Sequence, residues 1–461
     1  MNIIKPILRK VVQPLVVPVT GLPIAEDGEI SWSSYWTSQY YGVEIDESNS
    51  SPDLTRIASD MNPHGGDYIH ALLPVHAEIK ACLLNLNGTV NYYLDPTDWT
   101  KKADGSASNL TGADGNVMIE FPKYYRKVDN PSAGIYQHKI SLSPLTGYQE
   151  VPKFYIGAYK ASANRTAPLR LWSVVNTTAE YRGGNNNAAL DAGDNTQLGK
   201  PVTYIRLTNE ARPWVRNIVS GEYKWNVITH RHSMLLYELF IIEYATLNSQ
   251  KAFNATLTAE GYKQGGLGAG VTTVTPATWN TFNTYYPLIP CGTSNSLANG
   301  TGEVNYTIPN FGDASGAVKV NRYRGVENPF GDIWEWCDGA SIFNEGAGGV
   351  SKFYTCDNPA NFADGTATNY DHRANLPIAN TYPISMWHDD KGILIPKDSG
   401  GDAATYWCDY YYASGLVNAW RALRRGGIAS SLSDAGFVYL NTSSIATTRR
   451  AYLGARLMYL P

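Results

Sequence analysis

Five cysteines, eight histidines and forty-one carboxylates are the side chains with which this 461-residue chain could do covalent, metal or acid–base chemistry. Cys82, Cys291, Cys337, Cys356 and Cys408 are scattered, odd in number and never spaced as CxxC. That pattern fits free, buried thiols better than a disulfide framework or a zinc site. Only His64, His70 and His76, or His230 and His232, stand close together. An i, i+2 pair at a helix start points to different sides, so His230 and His232 make a poor metal clamp. Neither a GxSxG elbow nor a DxDxDG calcium loop occurs. A carboxylate pair for glycan cleavage must meet in space, which spacing alone does not reveal. The residue types therefore lead to no catalytic group, no cofactor and no metal.

Composition points elsewhere. Thirty-two Tyr, twelve Trp and forty-two Gly stand beside only six Met, a balance suited to short strands, tight turns and recognition surfaces. A hydrophobic share of 43% with 17% charged residues is that of a folded globular chain. The net charge of −4 argues against nucleic acid as a partner. No apolar run is long enough for a membrane span.

Three segments follow along the chain. Residues 1–35 read as an extended arm whose Pro14, Pro18 and Pro23 break any signal-peptide helix; such an arm suits anchoring to a partner. Residues 36–115 form a turn-rich β lead segment, with Tyr41 to Asp46 as a strand and a hairpin at Asn87-Gly88. Residues 116–461 read as the main domain. Val117, Ile119 and Phe121 alternate with Met118 and Glu120 as in a half-buried strand, and 154–159 is a second strand. The strongest helix signal spans Thr229 to Leu247, with Thr229 or Ser233 as its cap and Leu235, Leu239 and Ile242 on one stripe; a shorter helix is predicted over Asn209 to Val219 with Thr208 as its cap. Long Asn/Ser/Thr/Gly-rich connections run through 250–320 and 340–405.

The C-terminal third carries three ordered segments. They are Asn328-Pro329-Phe330-Gly331-Asp332-Ile333-Trp334-Glu335-Trp336, then Arg424-Arg425-Gly426-Gly427, then Gly454-Ala455-Arg456-Leu457. Their order resembles the C-type-lectin-type fold shared by formylglycine-generating enzymes and the variable proteins of diversity-generating retroelements. The lead segment resembles phage tail or fibre proteins that carry this domain. The resemblance implies an α+β fold of short strands, one or two helices and long loops, behind a small β-rich segment and the extended arm. The enzymes of that group use cysteines after the Gly-Gly turn, where this chain has Ile428-Ala429-Ser430-Ser431 and no cysteine beyond Cys408. Glu327-Asn328-Pro329 has the wrong order for a calcium-dependent sugar loop.

What the resemblance implies is therefore a non-catalytic phage virion protein, a tail or fibre receptor-binding component assembled in the host bacterial cytoplasm. The alternative is a capsid- or tail-decoration protein whose face contacts other virion proteins. In the variable proteins the diversified residues lie between the Gly-Gly turn and the final strand, here Ile428 to Tyr452. Alternation over Phe437 to Asn441 puts Val438 and Leu440 on the core face and Tyr439 and Asn441 outward. With Tyr410, Tyr411, Tyr412, Ser430, Ser431, Ser433, Ser443 and Ser444 they make the expected ligand-binding set. Expected partners are a host cell-surface glycan or protein, and other virion proteins through the arm. A homo-oligomer is expected, since multivalent display raises avidity. Arg421, Arg424 and Arg425 are expected either to take an acidic ligand or to pair with carboxylates such as Glu335 and Asp338.

Overall fold

A computed structural model describes residues 40–57, 73–164, 166–181, 183, 198–253, 289–311, 314–346, 349–413, 417–429, 431–450 and 452–461. The N-terminal arm lies outside them. The protein is mostly β with few helices, so it fits a mixed α+β class only loosely.

Three large sheets carry the architecture. A six-stranded sheet runs in the order Trp225–Val227, Arg456–Tyr459, Phe154–Lys160, Asn116–Phe121, Lys80–Leu84, Val90–Tyr93. A five-stranded sheet contains Tyr41–Asp46 beside Ile135–Ser141 and Tyr124–Ser132. Strands from both sides of residue 115 share each of these sheets. The third and largest is built on Trp334–Glu345, flanked by Ser351–Thr355 and Asn418–Arg425, and continues through Leu440–Ser444, Tyr411–Tyr412, Asn380–His388 and Leu394–Gly401. Part of the stretch expected to be long loops is therefore sheet: Asn380–His388 and Leu394–Gly401 form an antiparallel hairpin.

The main helix spans His230–Tyr244. Thr229 caps it by accepting from the His232 N–H, and Ala245 ends it in the left-handed region at φ 51°. The expected stripe undercounts its burial, because Leu236, Phe240 and Ile241 are also fully buried. A helix that is apolar nearly all round belongs in a core, and this one is enclosed rather than laid on a surface. The shorter predicted helix is instead a π turn, Leu207–Ala211, running into Arg212–Arg216, with no side-chain cap.

The strand Asn116–Phe121 is buried on both faces, which corrects the half-buried expectation. Val117, Ile119 and Phe121 join the core around the helix, while Met118 joins a second core with Cys82, Leu84 and Trp225. A chain of buried polar groups ties the five-stranded sheet to the helix and the hairpin. Arg126 donates to both Glu238 oxygens at 2.8 Å, and His138 Nδ1 lies 2.7 Å from Glu238 Oε1. His138 Nε2 then meets His388 Nδ1 at 2.9 Å, and His388 Nε2 lies 3.3 Å from Glu47 Oε1.

Candidate functional site

Strand Asn418–Arg425 lies between Trp334–Glu345 and Leu440–Ser444. It ends at Gly426 and Gly427, whose φ values of 93° and 80° suit glycine and reverse the chain. Gly426 donates to the Tyr439 carbonyl at 3.0 Å, and Gly331 donates to the Gly426 carbonyl at 2.8 Å. The three segments that carry the family resemblance thus meet in one place. Glu335 stands opposite Arg425 on one side and Gly454 on the other. Its carboxylate pairs with Lys160 at 3.1 Å, Arg425 at 2.8 Å and Arg456 at 2.7 Å, all buried. The expected pairing of Arg425 with Glu335 is present. Asp338, however, pairs with Arg212.

The turn into strand Leu440–Ser444 is fixed by Asp409, a buried carboxyl pushed up to about 7 by burial. It accepts from the Ser249 hydroxyl at 2.6 Å and the Val438 N–H at 2.9 Å. A Cβ on Gly436 would fall inside the van der Waals envelope of that carboxylate. Gly436→Ala should therefore lower unfolding stability by about 3 kcal/mol, read as a lower urea midpoint at unchanged slope. An unchanged midpoint would mean that this turn is not fixed by the close approach.

The structure separates the expected ligand-binding residues into two groups. Tyr410 and Tyr412 are half-buried, Ser433 is exposed, and Ser431 and Ser443 are intermediate. Tyr439 and Asn441 do not point outward: they are 7% and 3% exposed. Their strand is paired on both edges, with Asn418–Arg425 and with Tyr411–Tyr412, and apolar packing covers both faces. Leu440 joins one core and Tyr439 the other, so alternation distinguishes two dry faces, not a dry and a wet one. Tyr411 is fully buried and donates to the Pro377 carbonyl at 3.0 Å; Ser444 is buried as well. Ser431 Oγ is used locally, accepting from the Ile428 N–H at 2.9 Å. Ser430 lies outside the described residues.

Around the first group runs a row of rings. Tyr382 meets Tyr410 edge-on at 5.0 Å, Tyr410 meets Tyr439 at 5.5 Å, and Tyr439 meets Trp334 at 4.6 Å. The Arg424 guanidinium lies 5.0 Å from the Trp334 ring centroid. At the other end the Tyr382 hydroxyl donates to Asp434, whose carboxyl is raised by burial. Sequence reasoning missed Tyr382 and Asp434 as partners, and no local signal marks them. Tyr382 and Tyr410 offer half-exposed ring flanks at the anionic end, while Tyr439 and Trp334, toward Arg424, are buried; exposed flanks of this kind suit stacking and hydrogen bonding.

Burial keeps the thiols protonated, pushing Cys291, Cys337 and Cys408 up to about 12 and Cys82 higher still. A thiol so held is a poor nucleophile. Cys356 lines a cleft with His232, Arg231 and Asp357 at the start of the main helix. There too the thiol is raised by burial, and burial pushes the His232 imidazole down to about 3. Such an imidazole is too weak a base to draw off that proton. Among the described residues no group of three or more His, Cys, Asp or Glu is placed to hold a metal ion.

No family model matches the chain, and none of the curated proteins matches it. Among solved structures, that of PvdO from Pseudomonas aeruginosa is similar at 12% identity, over 76% of this chain and 96% of that one, with a TM-score of 0.28. A superposition that loose defines no common fold. Among the described residues, no helix is long and apolar enough to cross a membrane.

Proposed function

We propose that this chain is a non-catalytic phage virion protein, a tail or fibre component that recognises a host cell-surface glycan or protein through a C-type-lectin-type domain. The observation that carries the reading is the pair of half-exposed rings Tyr382 and Tyr410, stacked edge-on beside Asp434, with half-exposed Tyr412 and Arg424 nearby. These rings lie beside 428–452, the stretch that the resemblance marks for display, and Asp434 lies within it. Tyrosine supplies rigid contact area with a polar tip at low conformational-entropy cost, which suits a recognition face. The protonated thiols described above support a binding role over thiol chemistry.

Only the exposed members of the row are useful in a test, since Tyr411 and Tyr439 hold the core. The double variant Tyr410→Ala/Tyr412→Ala should remain cooperatively folded, with a somewhat lower melt from the lost packing, and lose at least about tenfold in binding to envelope fractions of a susceptible host, as interface aromatics do. Full binding by a folded double variant would contradict this surface.

A further inference from the structure

Arg424 and Arg425 are neighbours on one strand, so their side chains leave opposite faces. Arg425 turns inward to Glu335, while Arg424 turns to the tyrosine row. There, among the described residues, its side chain makes one polar contact and that is long, 3.5 Å from Nη2 to the Ser443 hydroxyl. Its electrostatic neighbours are the hydroxyls of Tyr412, Tyr439 and Tyr452 and a second cation, Arg450. Among the described residues no carboxylate pairs with it, and its Nε is buried without an acceptor. Burial lowers its pKa, the mark of a cation stripped of water. A buried N–H left unmet costs about 1–3 kcal/mol, and only the Nη end, toward Ser443, is placed to meet an acceptor from outside.

The rim beyond it is also basic. Arg449 pairs with Glu210, and the Arg206 backbone N–H donates to the same carboxylate at 2.7 Å. Arg206 lies within electrostatic reach of Arg449, and Arg450 is exposed. Of these cations only the Arg449 guanidinium pairs with Glu210, in a chain whose net charge is −4.

We infer that Arg424 anchors the acidic group, carboxylate or phosphate, of a cell-surface saccharide whose ring lies along the flank of Tyr412. The inference rests on the display role proposed above and narrows its ligand. A guanidinium fork matches the paired oxygens of a carboxylate or phosphate, whereas a neutral sugar offers no charge to a desolvated cation.

The test is an array of bacterial surface glycans in which each carboxylated or phosphorylated saccharide is matched with its neutral counterpart. The wild-type chain should bind acidic members at least tenfold better, with affinity falling as sodium chloride rises. Arg424→Gln should lose that preference while keeping its melting temperature, and Arg424→Lys should recover it only in part. The neutralised glycans ask the same question of the unaltered protein, so a misfolded variant does not decide the matter. Equal binding of acidic and neutral members, or an unchanged preference in Arg424→Gln, would overturn the anion site. The display role would survive that result if Tyr410→Ala/Tyr412→Ala still abolished attachment. No glycan bound, and no attachment to host envelopes, would remove both.

Discussion

Glu335→Gln should abolish cooperative folding or lower stability by about 5 kcal/mol or more, the largest effect expected of any single substitution in this chain. Its carboxylate serves Lys160, Arg425 and Arg456, and all four side chains are no more than 2% exposed. The interior opposes this charge, but Arg456, Lys160 and Arg425 hold its carboxyl well below the usual range. Burial pushes the Lys160 ammonium down to about 8 even with Glu335 present. Without that anion three cations share a dry pocket, and breaking even one buried pair typically costs 3–5 kcal/mol. Arg456 also donates to the carbonyls of Gly157, Glu327 and Asn328, so its displacement would loosen the six-stranded sheet and the turn before Trp334. Glu78→Gln is the matched control: that carboxylate is 51% exposed beside Lys80, and its loss should change stability by less than about 0.5 kcal/mol. Urea denaturation distinguishes them, and a Glu335→Gln midpoint close to wild type would contradict the account.

Acid should unfold the protein in two stages, shallow and then steep. His230 and His232 are pushed down to about 3 by burial, and His388 lies well below its ordinary value through burial and then His138. Each stays neutral in the fold but takes a proton near 6.5 once unfolded, so its stabilising effect is present above 6.5 and lost as pH falls. Glu47 and Asp409 have the opposite sign. Burial raises both to about 7, so the fold keeps two protons that the unfolded chain takes up only near 4.5 and 3.8. Between pH 6.5 and 4.5 three histidine protons less two carboxyl protons leave one, a slope of about 1.4 kcal/mol per pH unit. Below that window Glu47 and Asp409 cease to compensate, while Glu335 and Glu238 begin to resist protonation. Burial opposes the Glu238 charge, but Arg126 and His138 hold its carboxyl at about 2. Five unfolded-state protons against none give a slope of about 7 kcal/mol per pH unit. Partly exposed aspartates such as Asp46 and Asp95, held low by Ser and Thr donors, add with the same sign. With a total stability of about 5–15 kcal/mol, the fold should collapse within roughly two pH units below 4.5. Stability measured in urea at a series of pH values tests this. A loss steeper between 6.5 and 5 than below 4.5 would contradict it.

Much of the frame was legible in sequence because it rests on local chemistry. The helix start at Thr229, one of two candidate caps, the Gly426-Gly427 reversal, the Asn87-Gly88 hairpin and the closing strand after Gly454 each follow from a few adjacent residues. The pairing of Arg425 with Glu335 followed from opposite charges on strands expected to lie in the core. Tyr439 and Asn441 were placed on the wrong side because period-two reasoning presumes one wet face. A strand enclosed by neighbours and by two cores breaks that presumption, as Met118 does in the other sheet. Tyr382 and Asp434 lie 52 residues apart and meet only through pairing in the largest sheet. Arg424 and Arg425 look equivalent in sequence, and only the pleat separates one bound inward from one turned to the tyrosine row.

The central claim is that one face, and not the cleft at Cys356, meets the host. Oxidative footprinting of the intact protein bound to host envelope fractions, compared with the free protein, tests it most directly. Protection should fall on Tyr382, Tyr410, Tyr412 and the exposed Leu432, with no change at Phe362 or Cys356 beside the helix start. Protection centred on the Cys356 cleft, with Tyr410 and Tyr412 as reactive as in the free protein, would contradict the account.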